Sequence, residues 1–307
     1  MSQPDVERFH GRTLPNRMLT IVAATRPAFL TASILPVIAA GALASWLFNG
    51  GISFPTLVLA VVNIALIHAG ANVLNDYFDS RSGNDGSNTG FVYPFSGGSR
   101  FIQNDVLAEE ETLRIGLGLM ISGAVMGLAF VWATGPTLLA IGVLGTLLAI
   151  TYSSPPCLVC RGLGDVAIGI AFGILPVAGT MLILTGTIPT EAWWLGTIMA
   201  CLVAAILWVN SIPDIPADAA AGKLTLPARL GAEAAARLLP VWFLASFSIL
   251  LVSPLPRATW IALGAAIPAA IASHAVIKGR LVPAMRATII THAAASLLII
   301  MGLLHSS

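Results

Sequence analysis

Two segments, Asn72-Val-Leu-Asn75-Asp76-Tyr77-Phe78-Asp79 and Asn210-Ser-Ile-Pro213-Asp214-Ile-Pro-Ala-Asp218, each set an amide side chain one helical turn before a pair of carboxylates, at the ends of hydrophobic runs. A carboxylate at the end of a membrane helix loses much of its hydration unless a cation or a donor replaces it, so matched pairs suggest a built site. Residues three and four apart share a helix face, so His68, Asn72, Asp76 and Asp79 form one stripe and Asn210 stands one turn from Asp214. Pro213 and Pro216 must interrupt regular helix beside the second pair, and broken helix at membrane depth is tolerated where it lines a cavity. A solvated helix end is the simpler account of one Asp-x-x-Asp. Two clusters with preceding asparagines, in a chain with only 14 acids, favour a site.

The chemistry such clusters fit is magnesium held by few carboxylates and shared with a ligand phosphate, because magnesium keeps several waters and seldom sits in an all-protein cage. Fixed cations for the phosphate are available in Arg81, Arg161, Lys223 and Arg229, although a topology signal would leave basic residues in the same loops. A zinc site is not expected, since His10, His68, His274, His292 and His305 are scattered and Cys157, Cys160 and Cys201 lie away from them in sequence. Three cysteines are too few for a disulfide framework, and Cys157-x-x-Cys160 reads as a loop pair without a metal or redox role.

The elements that must position these residues are membrane helices. The chain is 57% hydrophobic and 9% charged over 307 residues, with a mean hydropathy of +0.89, against about 25% charged for a soluble domain. Nine apolar runs approach the length of a span: 27–48, 54–75, 113–133, 136–152, 165–185, 192–211, 238–253, 258–277 and 287–304. The expected fold is all-α, a polytopic membrane protein. Residues 1–26 form an N-terminal segment and 27–307 a single transmembrane domain. The absence of a small-residue cleavage site makes the N-terminal segment a lead into a retained helix.

With the runs alternating across a bilayer, 14 of the 15 Lys and Arg residues, beginning with Arg8, Arg12, Arg17 and Arg26, share one side and only Arg257 falls opposite. Positive-inside bias makes that side cytoplasmic, with the N-terminus and both acid clusters there and the C-terminus outside. The net charge of +1 hides this asymmetry, and no basic tract of nucleic-acid type is present. Asn72 and Asp76 recur as Asn210 and Asp214 at an offset of 138 residues, and internal repeats of this kind place a shared site between the halves.

Taken further, Asn75-Asp76-Tyr77-Phe78-Asp79-Ser-Arg-Ser-Gly83-Asn84-Asp85 resembles the first aspartate-rich motif of the UbiA superfamily of intramembrane prenyltransferases, and Asp214-Ile-Pro-Ala-Asp218-Ala-Ala-Ala-Gly222-Lys223-Leu-Thr225-Leu-Pro-Ala-Arg229-Leu-Gly231 resembles the second. Tyr152-Ser-Ser-Pro155, Arg161-Gly-Leu-Gly-Asp165 and Gly97-Gly98 are similar to the 1,4-dihydroxy-2-naphthoate polyprenyltransferase branch. The resemblance implies nine helices around a central cavity open to the cytoplasm and sideways to lipid. The activity it implies is transfer of an isoprenyl chain from a polyprenyl diphosphate to an aromatic acceptor in quinone biosynthesis, of menaquinone type, in a bacterial or archaeal inner membrane. It implies magnesium held by Asn72, Asp76, Asp79, Asn210, Asp214 and Asp218, with Asp85 as the outer acid of the first motif. Lys223 and Arg161 would neutralise the leaving group, and Tyr152 would lie near the reacting carbon. Asn75, Arg81, Arg229 and His68 complete the expected substrate contacts, His68 by orienting a phenol. Pro213 and Leu224 stand where that branch often has basic residues.

Residues 80–111 form a long connector, polar and Gly/Ser-rich at first, that reads either as a lid over the site or as a plain loop. Other acceptors on the same scaffold (4-hydroxybenzoate, homogentisate, a lipid alcohol), a prenyl-diphosphate cyclase or hydrolase, and an ion-coupled transporter are the alternative readings.

Overall fold

The computed structural model describes residues 3–9 and 14–307; His10 and Arg12 lie outside the described residues. Among these, nine helices are long and apolar enough to cross a membrane, and no strand is present. They are α1 (Pro27–Leu47), α2 (Phe54–Arg81), α3 (Glu109–Thr134), α4 (Pro136–Ser153), α5 (Gly164–Thr185), α6 (Thr190–Ser211), α7 (Ala232–Val252), α8 (Arg257–Ile277) and α9 (Leu281–His305). Most match the apolar runs, but several helices outlast them. α2 continues from the expected end near 75 to Arg81, so Asp76 and Asp79 belong to its last turns and not to a loop. Its start is set by Ser53, whose hydroxyl accepts from the Thr56 N–H, with Pro55 in the first turn where a missing N–H does no harm. α3 begins at Glu109 with three glutamates in its first turn, where negative charge suits the helix dipole.

α6 is the most buried span and α4 the least. The main core gathers α6 residues Leu195, Ile198, Met199, Leu202 and Val209 against Leu43 of α1, Leu239 and Phe243 of α7 and Ile299 of α9. In lipid the apolar side chains gain little from burial as such, so close approach through small residues has to hold the helices together. The α5–α6 crossing shows it directly. A Cβ on Gly173 would come within 2.4 Å of the Ala200 nitrogen, and one on Gly196 within 3.0 Å of the Ile174 Cα. Around that crossing α5 widens into a π-turn over Ile170–Ile174, a form that often marks a functional site.

The second acid cluster is built as the prolines require. α6 stops at Ser211, a turn carries Pro213 and Asp214, and a short helix, Ile215–Ala220, carries Asp218. Three connectors meet at this end of the bundle: 82–108 between α2 and α3, 154–163 between α4 and α5, and 212–231 between α6 and α7. In the second of them the cysteine reading needs correction. Cys157 and Cys160 are joined by a disulfide; Cys157 takes a positive φ of 54°, which folds the short loop back and brings the two Cα atoms to 5.3 Å, within bridging range. Trp208 is a core residue, buried with its indole N–H donating to the Ala235 carbonyl at 2.7 Å.

Because no side chain fits at Gly173, Gly173→Val is expected to separate α5 from α6 and cost about 1–3 kcal/mol or more through overpacking. Thermal melting in detergent checks this, and a melting temperature within a degree of the parent would refute the close-packing account.

Candidate functional site

Each acid is placed by a specific local device. Asp76 faces the connector 82–108, and both of its carboxylate oxygens accept from the Ser99 N–H at 3.2 and 3.3 Å. This approach depends on Gly98, which has φ +75°; a Cβ there would stand 2.6 Å from Asp85 Oδ2 and 3.0 Å from Asp76 Oδ1. Asp79, one turn on, accepts from the Lys223 ammonium at 2.9 Å and from Asn75 Nδ2 at 3.2 Å. Lys223 also lies 3.9 Å from Asp218 Oδ1, so its charge bridges the two clusters. Asn88 donates to Asp214 Oδ1 at 2.8 Å, the Gly97 N–H donates to Asp214 Oδ2 at 3.2 Å, and Asn84 donates to Asp218 Oδ1 at 3.1 Å.

The structure brings together the acids and Lys223 that the sequence singled out, with partners from the connector that the sequence did not single out. Asn84, Asn88, Ser99 and Arg100 all work from it. Arg100 is buried with its guanidinium 3.8 Å from the Phe91 ring centre, donating to the carbonyls of Asp85 at 2.6 Å and Asn88 at 3.1 Å. The signal was the density of Asn, Ser and Gly in 84–99, which permits backbone donors to approach carboxylates closely. The connector is thus docked on both acid clusters, as a cover would be.

The acids border a cavity of about 180 Å3 whose wall includes Asn72, Asn75, Asp79, Asp85, Asn210, Asp214, Asp218, Lys223, Tyr152 and His68. Asp76 lies behind this wall. Asn72 donates to the Thr25 carbonyl at 3.0 Å and Asn75 to the Ser153 hydroxyl at 2.6 Å. His68 Nδ1 is 2.8 Å from the Ser33 hydroxyl and its ring stacks on Phe172. Three expected contacts stand elsewhere. Arg81 stacks over Tyr77, Arg161 donates to the Pro156 carbonyl, and Arg229 donates to the Leu224 carbonyl; none of the three lines the cavity. Their long side chains reach nearer acceptors, the Tyr77 hydroxyl one turn back on α2 for Arg81 and carbonyls of their own loops for Arg161 and Arg229. The wall holds Arg26 instead, packed over the Phe29 ring with a buried Nε that has no partner among the described residues.

Charge is unbalanced here, with five carboxylates gathered against Lys223, Arg100 and Arg26. Burial pushes the Asp85 carboxyl up to about 8, with the nearby Asp79 and Asp76 charges adding to it. Burial also lifts Asp218 to about 6 and Asp214 above the ordinary carboxylate range. For Lys223, burial pulls the ammonium down, but Asp79, Asp218 and Tyr152 outweigh it and hold it above its usual value. Arg100 is lowered by burial.

Among the described residues no three His, Cys, Asp or Glu side chains stand close enough to grip a metal by themselves. Yet Asp85 Oδ2 and Asn210 Oδ1 are buried acceptors without a partner among the described residues, and buried acceptors are normally satisfied. Carboxylates in excess of cations, with oxygens to spare, suit a hard divalent ion whose remaining ligands are water or phosphate oxygens. The donor set fits such an ion.

A family model described as the UbiA prenyltransferase family matches residues 33–284. A 1,4-dihydroxy-2-naphthoate octaprenyltransferase from Mycobacterium tuberculosis is 30% identical over 280 residues, covering 87% of this chain and 90% of that protein. The Escherichia coli protein of the same name is 30% identical over 215 residues, covering 67% of each. Among solved structures, an apo UbiA homolog from Aeropyrum pernix superposes with a TM-score of 0.68 at 18% identity, over 88% of this chain and 97% of that one. A UbiA homolog from Archaeoglobus fulgidus bound to GPP and Mg2+ gives 0.60 at 14% identity, over 93% and 98%. Both likenesses concern the fold.

The raised carboxyls have a consequence for stability. Between the ordinary carboxylate value and the raised ones, the native protein keeps protons that the unfolded chain has lost, so stability falls as pH rises through that window. In a chelator, the melting temperature is expected to drop between about pH 4 and pH 8, and Asp85→Asn should flatten the upper part by about 1–3 kcal/mol. A melting temperature that is level or rises over this range would overturn the charge account.

Proposed function

This chain belongs to the UbiA prenyltransferase family, and on that premise we propose that it transfers an isoprenyl chain from a polyprenyl diphosphate to an aromatic acceptor of the 1,4-dihydroxy-2-naphthoate kind. Family membership makes it an enzyme of the membrane and removes the transporter alternative. The observation that carries the proposal is the meeting of both acid clusters with Lys223 at the mouth of one cavity, whose deeper wall is apolar through Phe29, Ala32, Leu148, Phe172, Val203 and Ile206. That pairing of an ionic end with an oily end is the shape of a prenyl diphosphate. The naphthoate reading rests on the named relatives.

In this reading the donor's diphosphate lies against the acids, with Lys223 and Arg26 as the cations facing it. Asn72, Asp76, Asp79, Asn210, Asp214 and Asp218 would hold magnesium, with Asp85 beside them. Magnesium, when bound, would supply positive charge to the diphosphate oxygens. Ionisation breaks the allylic carbon–oxygen bond; the electron pair leaves with the diphosphate, and Lys223 stabilises that negative charge as it develops. The acceptor's ring carbon then forms the new carbon–carbon bond to the allylic cation, and the arenium restores aromaticity by losing a proton from the attacked carbon, or carbon dioxide where that carbon bears the carboxylate. Apolar walls keep water from the cation. Tyr152 and His68 border the space where the acceptor would sit, His68 with its ring fixed by Ser33 and Phe172. The acid face is taken as cytoplasmic, on the distribution of basic residues.

The test is incubation of purified protein with magnesium, labelled geranyl diphosphate and a panel of aromatic acceptors including 1,4-dihydroxy-2-naphthoate. A prenylated product is expected in wild type, with kcat reduced by about a thousandfold in Asp76→Ala and Asp214→Ala, on the scale of losing a transition-state charge contact. Release of diphosphate without a prenylated acceptor would point to a hydrolase or cyclase, and no loss of the donor at all would defeat the proposal.

A further inference from the structure

Beside the site lies a second cavity, of about 290 Å3, bounded by α2, α3, α4 and α5. Among the described residues, none that is charged lines it. Its few polar members are Asn63, Thr146 and Thr180, and Asn63 is already engaged, donating to the Gly123 carbonyl at 2.6 Å. This cavity and the one at the acids share Ala149, Ala171 and Phe172 in their walls. Phe172 is the one large side chain of the three. It sits in the π-turn of α5, 7% exposed, with its ring 4.1 Å from the His68 ring at an interplanar angle of 28°. Its position is held from both sides, since His68 is anchored on Ser33 and the turn is pressed on α6 at Gly173.

We infer that the second cavity receives the distal isoprene units of the donor, and that Phe172 is the residue determining which chain lengths the enzyme accepts. The inference deepens the transferase reading and rests on it. A short prenyl chain ends within the first cavity, against the Phe172 ring. A long one must turn past that ring, and the space on its far side is apolar and separated from the first cavity by the shared wall of Ala149, Ala171 and Phe172. Bilayer lipid offers a tail an equally apolar medium, so the second cavity selects by shape and not by hydrophobicity.

Glycines in the cavity wall permit a sharp test. A Cβ on Gly142 would meet nothing within 4 Å, one on Gly145 would lie 3.7 Å from Leu175 Cδ1, and one on Gly179 would lie 3.6 Å from Ile141 Cγ2. All are helical, so larger residues there fill the cavity while favouring the helix. Gly145→Leu and Gly179→Leu are expected to lower the ratio of kcat/KM for octaprenyl over geranyl diphosphate by about tenfold, chiefly through KM, a difference of about 1.4 kcal/mol. Phe172→Ala, which merges the cavities and removes the wall a short chain meets, is expected to raise the same ratio. A ratio unchanged in the glycine variants would overturn the inference. An independent readout uses a prenyl diphosphate carrying a benzophenone at its distal end. Irradiation with wild-type protein should label peptides from 123–131 or 138–146, and labelling confined to α6 or α9 would also overturn it. A wild type that turns over neither donor counts against the transferase reading, and the labelling still decides where the tail lies.

Discussion

Lys223 stands between Asp79 and Asp218, and much of the remaining structure at that end of the bundle follows from the shortage of positive charge this arrangement exposes. Five buried or half-buried carboxylates face one lysine and two arginines, Lys223, Arg100 and Arg26. Burying charge without compensation costs several kcal/mol per ion, so every other donor within reach is recruited. The connector 82–108 supplies backbone N–H groups at Gly97 and Ser99 and amides at Asn84 and Asn88. It is ordered by the acids as much as the acids are solvated by it. Acceptors that stay unsatisfied after this, on Asp85 and Asn210, leave room for ligand charge.

The helices serve that arrangement in distinct ways. α2 must run past the end of its apolar stretch so that Asn72, Asn75, Asp76 and Asp79 remain on continuous helix. α6 must do the opposite and stop, because Pro213 cannot donate and Pro216 begins a new short helix. The two halves of a weak repeat thus reach one cavity by different backbone routes. The one-residue difference in spacing, Asp76 to Asp79 against Asp214 to Asp218, reflects that difference.

Fold class and helix count were legible in the sequence because the bilayer imposes length and apolarity on every span, and lone acids stand out against such a background. The site's centre was legible for the same reason. Its periphery was not. Arg81, Arg161 and Arg229 satisfy the same rules of charge and loop position as Lys223, yet their guanidinium groups find local acceptors; only tertiary contact distinguishes them. Arg26 carries a left-handed backbone and lines the cavity, a placement that nothing in its neighbours announces. The Cys157–Cys160 bond likewise depends on a backbone turn at Cys157 that spacing does not specify.

Polar and apolar requirements are kept apart along the depth of the molecule. Near the connectors, binding is a matter of charge balance, and small geometric errors there would leave a carboxylate unpaired. Deeper in, past Tyr152 and His68, the walls are interchangeable hydrocarbons, and selectivity has to come from volume. The π-turn in α5 joins the two regimes. It holds the Phe172 ring against His68, which itself ends the polar stripe of α2. The last member of the stripe that faces the ionic end therefore also supports the first residue of the apolar partition. The contact between the two rings thus ties the wall of the cavity at the acids to the wall that it shares with the second cavity.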